Sequence, residues 1–421
     1  MMKKVLICAL LMAGVCPAQT PAANGGSGRG RGGRGGAPAV RSPQVMSDGH
    51  VTLRFRAPDA KVVNAVLEPG ETVPMAKGDD GVWTVTVGPL PADIYAYRFV
   101  TDGVTTPDPS SGAVLKTARP NAAGELGLMG TWQSQFLVPG SPTPEHWEMT
   151  DIPHGALAHV NFYSKAMSAF RDYFVYTPPG YDPKRSRRYP VLYLHHGAGE
   201  NASGWSDIGK VNLILDTLIA EKKAKEMIIV MPLGHPGQPL PAVADPGAAP
   251  DMTGVRGGRG GFGAAGGSGR GGGGAEPTMS PYMTSLLTEI MPQVEKNYNA
   301  GNTKAARAIA GLSMGGRQTL DFSLLHPELF NYVGLFSAAV GGGRGGTAAL
   351  PTALTPAWAK QFKVLWIACG DKDTTVGPAN VAFKAALKEK SVPFTDIVTP
   401  GAHTYAVWKR NMVAFAPLLF Q

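Results

Sequence analysis

The chain has little cysteine, little charge and no apolar run long enough to cross a membrane. Only three of its 421 residues are cysteine and 17% are charged. Cys8 and Cys16 fall in MMKKVLICALLMAGVCPA, where Lys3 and Lys4 precede an apolar run and a small-residue exit at Ala18. That pattern predicts a signal peptide over 1–18, cleaved before Gln19, and so a secreted or periplasmic protein. A spanning helix needs about 20 apolar residues. This run is shorter and no later one reaches that length, so no membrane segment is expected after cleavage. Bulky Val15 argues against lipid attachment at Cys16. Cleavage leaves Cys369 alone, which excludes an intramolecular disulfide and makes that residue a small buried hydrophobe at a strand end.

Acidic residues are also few, leaving a net charge of +8 that raises the question of nucleic acid. Arg29, Arg31, Arg34, Arg41, Arg256, Arg259, Arg270 and Arg344 all lie in or beside Gly-rich tracts and account for the whole excess. Arg-Gly repeats bind RNA as disordered segments. On an exported chain they read instead as solvated linkers and loop insertions, and no nucleic-acid partner is expected.

Five regions are predicted. The signal is followed by a Gly/Arg-rich linker over 19–45 with nothing to bury. Over 46–132, short alternating runs such as VTLRFRAP, GVWTVTV and YAYRFVTDG are broken by Pro, Gly and Asp turns, as in a small all-β, immunoglobulin-like sandwich. A Pro-rich connector covers 133–158. Over 159–421, apolar strands such as PVLYLHH, MIIVMP, AIAGLS and KVLWIAC alternate with helix-period stretches, including VNLILDTLIAEKK and TSLLTEIMPQVEKNY. That alternation predicts an α/β domain with a mostly parallel sheet covered on both faces. Low-complexity tracts at about 236–277 and at Gly341–Gly346 follow strands and are expected on the loop side, where such folds keep their active sites.

The sharpest chemical signal is AIAGLSMGG, in which a strand enters Gly311-Leu312-Ser313-Met314-Gly315 and a helix follows. The turn of such a nucleophile elbow is tight and strained, and a Cβ at either glycine would collide with its neighbours. A serine hydroxyl needs a histidine to take its proton and an acid to orient that histidine. His326 and His403 are the histidines after Ser313. His326, in LLHPELF, reads as a helix-end residue, whereas His403 follows the strand-like FTDIVTP on a loop and is the expected base. Asp371 and Asp373, after KVLWIAC, both remain candidates for the acid. An oxyanion needs preorganised N–H donors. One is expected from Met314, next to the nucleophile, and the other from Ala198 after His196-Gly197. His195 and His196 are consecutive strand residues pointing to opposite faces, which speaks against a metal pair.

The front sandwich, on GDDGVWTVTVGPLP, YAYRFVTDG and the turn at Asp108-Pro109, resembles the early-set module of carbohydrate-binding module family 48. Trp83, Tyr95 and Tyr97 would offer sugar-stacking faces, although alternation puts most such aromatics in a core. The second domain, on VYTPPGY, YPVLYLHHGAGENASGW, AGLSMGG, LWIACGDKD and GAHTYAVWKR, resembles carbohydrate esterase family one, the feruloyl and acetylxylan esterases related to esterase D. The resemblance implies an α/β-hydrolase fold with Ser313 as nucleophile, His403 as base, and Asp373, in the G-x-x-D motif, as acid. It also implies oxyanion donation from Met314 and Ala198, and Trp205 and Trp408 as cleft walls, with core packing the alternative. No metal or cofactor is implied. The expected substrate is an acylated plant polysaccharide or its oligosaccharides, feruloyl first and acetylxylan second. A siderophore esterase, an acyltransferase, and a carbohydrate-binding protein with an inactive hydrolase domain are the alternatives.

Overall fold

Alternating side chains at the front of the chain give two antiparallel sheets, because each strand has one face to bury. The computed structural model describes residues 40–67, 71–111, 114–116, 132–235, 276–340 and 350–421. The expected signal peptide, the expected linker as far as residue 39, the low-complexity tract over 236–275 and the Gly341–Gly346 tract lie outside them. In the first sheet the strands β1 (Gln44–Val45), β2 (Val51–Arg56), β6 (Val82–Val87) and β5 (Ala76–Lys77) run in that order. In the second the order is β4 (Glu71–Pro74), β3 (Val63–Leu67), β7 (Asp93–Thr101), β10 (Trp132–Val138) and β9 (Val114–Lys116), with β8 (Val104–Thr106) also on β7. Val51, Leu53, Val63, Trp83, Tyr97, Phe99 and Phe136 form the core of this region. Trp83 and Tyr97 are therefore not free stacking faces. The Trp83 indole donates to Ala57 O and the Tyr97 hydroxyl to Asp108 Oδ2, while Tyr95 is half-buried.

The rest of the described chain builds one eight-stranded sheet. Its order is β11 (Ala156–Ser164), β12 (Ala169–Thr177), β14 (Ile228–Pro232), β13 (Val191–His195), β15 (Arg307–Leu312), β16 (Tyr332–Phe336), β17 (Val364–Gly370) and β18 (Thr395–Thr399). β11 and β12 pair antiparallel, as do β12 and β14, and every pairing from β14 onward is parallel. The central strands are apolar throughout because both faces are covered. Val191 and Tyr193 of β13 enter one core and Leu192 and Leu194 the other.

Helices α1 (Gly204–Asp207), α2 (Val211–Ala220) and α8 (Tyr405–Phe415) pack on the second of these cores. Helices α3 (Pro281–Ser285), α4 (Met291–Asn297), α5 (Met314–Leu325), α6 (Pro356–Ala359) and α7 (Gly377–Glu389) pack on the first. The single helix expected over TSLLTEIMPQVEKNY is divided by a π-turn at Leu286–Ile290. Pro292 supplies the reason, since its ring crowds the carbonyl four residues back and the wider turn makes room. Likewise α2 stops at Ala220, and Lys222 adopts φ +60°, the left-handed turn that commonly closes a helix. The described residues from Val40 to Gln421 form one compact unit. Asp93 at the start of β7 is paired with Lys409 of α8, and Ile94 packs against the second core of the eight-stranded sheet.

Candidate active site

The site is built at the C-terminal ends of the parallel strands. β15 delivers the chain into Ser313, whose φ of +52° and ψ of −114° are unusual for a residue with a side chain, and α5 begins at the next residue. Three backbone bonds hold the elbow: Ser313 N–H donates to Phe336 O, and Arg317 and Ala339 N–H donate to Ser313 O. The flanking glycines are required by space. A Cβ on Gly311 would lie 2.5 Å from the Gly315 carbonyl, and one on Gly315 would lie 2.5 Å from His196 O.

His403 sits on the loop between β18 and α8, with Nε2 3.0 Å from Ser313 Oγ and Nδ1 2.7 Å from Asp373 Oδ2. A buried carboxylate at Nδ1 requires that nitrogen to carry the proton, which leaves the Nε2 lone pair to accept the serine hydroxyl. Asp373 Oδ1 accepts the Thr375 and Val376 amides, each at 3.0 Å. Burial raises the Asp373 pKa, but the His403 and Val376 hydrogen bonds outweigh it and the carboxyl titrates below its usual range. Cys369 Sγ lies 3.8 Å from Asp373 Oδ2, and burial first, then that nearby charge, push its thiol up to about 11.

Asp371, the other acid considered, is exposed and accepts the Gly401 amide at 2.7 Å, so it braces the loop carrying His403 without touching the ring. His326 lies at the end of α5 beside Glu328, away from the site. Ala198 is exposed on the loop after β13, and a Cβ on neighbouring Gly197 would meet Leu312 and approach Ser313 Cβ. That places the loop against the elbow. Among the described residues, neither the Ala198 nor the Met314 amide has a hydrogen-bond acceptor.

Trp408 lines the cleft and meets the His403 ring edge-to-face at 5.0 Å. Trp205 does not wall the cleft as expected. It is fully buried, donates from its indole to His195 O and packs on Tyr405, because the short helix α1 turns it into the core. The adjacent histidines serve structure too. His195 stacks on Phe322, and His196 accepts the Gly234 amide at Nε2 while donating from Nδ1 to Gly197 O.

Two features escaped the sequence reading. Glu200 accepts both the Gly197 amide at 3.0 Å and the Tyr405 hydroxyl at 2.7 Å, tying the Ala198 loop to α8. Desolvation holds its carboxyl above the ordinary range, against the pull of those two donors. The cleft itself, about 820 Å3, is bounded on one side by the loops around Ser313 and on the other by β7 and β10 of the front sheet. A period-two reading of DIYAYRF, asking where its non-core face turns, was the signal available for that second wall.

A mostly parallel eight-stranded sheet with an antiparallel start and a serine at a strand-to-helix elbow defines an α/β-hydrolase. The chain belongs to the esterase family described as "Putative esterase", whose model matches residues 164–241 and 270–418. It is similar to an endo-1,4-beta-xylanase/feruloyl esterase of Xylanibacter ruminicola, with 32% identity over 392 residues, 91% of this chain and 46% of that protein. The chain thus spans a little under half the length of that relative. Among solved structures, the enterobactin esterase of Shigella flexneri in the presence of enterobactin has a TM-score of 0.59 at 15% identity, covering 87% of this chain and 92% of its own. A ferulic acid esterase from Anaeromyces mucronatus in complex with ferulic acid has a TM-score of 0.49 at 21% identity, covering 68% of this chain and 98% of its own. The likeness to the Shigella enzyme shows the fold.

Proposed function

We propose that the chain is an exported serine carboxylic ester hydrolase acting on acylated plant polysaccharide or its oligosaccharides, feruloyl esters first. The observation that carries the chemistry is the continuous hydrogen-bond run from Asp373 through His403 to Ser313. In this reading Ser313 Oγ attacks the ester carbonyl carbon while its proton passes to His403 Nε2, and the Asp373 carboxylate stabilises the imidazolium. The carbonyl oxygen becomes an oxyanion facing the Met314 and Ala198 amides, each donor contributing on the order of 3 kcal/mol in such sites. Collapse of the tetrahedral species breaks the bond to the alcohol, which leaves with the proton from His403. Water then repeats the cycle on the acyl-enzyme and releases the acid, regenerating the serine.

The feruloyl assignment is supported by the relative named xylanase/feruloyl esterase at 32% identity. Export rests on the Lys3-Lys4 and apolar pattern of residues 1–18. The carbohydrate-binding-module-like reading of the front sandwich rests on its motifs.

The test is turnover of methyl ferulate, 4-nitrophenyl acetate and acetylxylan by the purified protein and by Ser313→Ala. Hydrolysis of the ferulate abolished in the variant is the expected result. No turnover of any ester by the unaltered protein, or unchanged turnover in the variant, overturns the hydrolase reading. Acetylxylan turnover without ferulate turnover overturns the feruloyl assignment alone.

A further inference from the structure

We infer that His196 and Glu200 are positioning residues that aim the Ala198 amide into the oxyanion site by clamping Gly197 from both sides. The inference rests on the esterase reading above and adds what keeps its second N–H donor in place.

Gly197 poses the problem. The chain passes so close to the elbow here that a Cβ would lie 2.6 Å from Leu312 Cδ1 and 3.5 Å from Ser313 Cβ. Glycine fits, but it is the residue with the widest choice of φ and ψ. The peptide that follows it carries the Ala198 N–H, so rotation about Gly197 swings that donor. A misplacement of about 1 Å at a reacting centre costs up to about 100-fold in rate. A catalytic donor placed directly after a glycine therefore needs its direction fixed from outside.

Both polar groups of Gly197 are held. Its N–H donates to Glu200 Oε2 at 3.0 Å, and its carbonyl accepts the His196 Nδ1–H at 2.8 Å. A peptide unit is planar and trans, so its C=O and N–H point in opposite directions. Fixing the Gly197 carbonyl on His196 thus turns the Ala198 N–H away from the buried ring, on the side where Ala198 and Ser313 border the cleft.

Each arm of the clamp is anchored to the machinery it serves. The His196 Nε2 accepts the Gly234 amide at 2.9 Å, which leaves the ring proton on Nδ1. Burial first, then the His235 ring beside it, push the His196 pKa well below its ordinary value, so the ring stays neutral and keeps that tautomer. The Gly234 carbonyl in turn accepts Gln318 Nε2 at 2.7 Å from α5, the helix whose first residue, Met314, supplies the other donor. On the second arm, the same Glu200 oxygen accepts the hydroxyl of Tyr405, just past His403, at 2.7 Å. The Glu200 backbone is bonded as well, its N–H to Gly197 O at 3.4 Å and its carbonyl to His235 Nε2 at 2.7 Å. The Ala198 donor is thereby tied through His196 to the helix of the nucleophile and through Glu200 to the segment of the base.

The experiment measures kcat and KM for methyl ferulate and 4-nitrophenyl acetate in the full chain and in two matched pairs, Glu200→Gln with Glu200→Met and His196→Asn with His196→Leu. The first of each pair keeps an atom able to bond Gly197, and the second removes it. Glu200→Met and His196→Leu are expected to lower kcat about 30- to 100-fold with KM unchanged within about threefold, because the donor acts on the oxyanion and not on the bound ester. Glu200→Gln and His196→Asn should each recover about fivefold or more of that loss. Thermal melting checks folding, and the half-buried Glu200 pair decides where a variant of the buried histidine does not fold. A kcat for Glu200→Met within about threefold of the unaltered chain, or a loss as large in Glu200→Gln as in Glu200→Met, overturns the clamp. Should the unaltered protein hydrolyse neither ester, the esterase reading fails, and the rate at which a fluorophosphonate labels Ser313 decides the clamp separately, since the phosphoryl oxygen occupies the same oxyanion site. Labelling slowed about tenfold or more in Glu200→Met and partly restored in Glu200→Gln supports the clamp. Equal labelling of the two variants, or no labelling of the unaltered chain, overturns it.

Discussion

Ser313 holds a backbone conformation that residues with side chains seldom adopt, and such strain persists only where surrounding bonds over-determine it. The Phe336, Arg317 and Ala339 contacts do that here. Asp373→Asn is expected to lower kcat by about 10^3 to 10^4, because an amide in place of the carboxylate no longer holds the proton on Nδ1. Asp371→Asn, which touches the Gly401 amide and not the ring, should cost less than about tenfold in the same ferulate assay. The carboxyl of Asp373 titrates below its ordinary range, so its charged form favours the folded state. That stabilisation is complete above about pH 4 and is lost as pH falls through the depressed folded value. The gap in melting temperature between the unaltered chain and Asp373→Asn should therefore narrow as pH falls below the ordinary carboxylate range. Cys369, with its thiol raised to about 11, should resist a thiol reagent at about pH 8 until denaturant unfolds the chain. The serine and histidine were legible in the sequence because an elbow and a two-member elimination defined them. The acid was not. Asp371 and Asp373 both follow β17 closely, and only the turn that lets Asp373 accept the Thr375 and Val376 amides points its carboxylate inward.

At the scale of elements, the parallel strands were readable because burial on both faces leaves an unbroken apolar run, as in the five buried residues of β13 and of β16. The boundaries were less so: the π-turn ahead of Pro292 and the early stop of α2 depend on carbonyl crowding and a left-handed closing residue that periodicity does not report. The elbow gives the firmest expectation at this scale. Gly315→Ala places a methyl 2.5 Å from His196 O and 2.6 Å from His195 Cβ, neither of which belongs to a flexible side-chain end. It should cost about 1 to 3 kcal/mol in urea unfolding. It should also reduce ester turnover, because β13 and the start of α5 would have to separate beneath Ala198.

At the scale of the molecule, the front sheets read in the sequence as a separate module without chemistry, and the structure gives them a wall of the cleft. The reason is range. Asp93 and Lys409 are 316 positions apart, and neither looks unusual in its own stretch. Together they are buried, with the Lys409 ammonium 4.7 Å from the Trp147 ring and Arg410 on the outer carboxylate oxygen. Removing one partner strands a buried charge. Lys409→Ala is expected to destabilise the chain by about 3 to 5 kcal/mol, and Lys409→Met, which keeps the stem, by less, in the same urea measurement.

That seam bears on how such enzymes are recombined. The strand presenting Arg98 to the cleft begins at Asp93, and the cations that hold it come from the last helix, near the far end of the chain. A chimera with its crossover point in the Pro-rich connector would carry a foreign strand onto a helix that lacks its counter-charge. Grafting a new front half with the matching residues of α8 and Trp147 moves that wall of the cleft and its mooring as one transferable part.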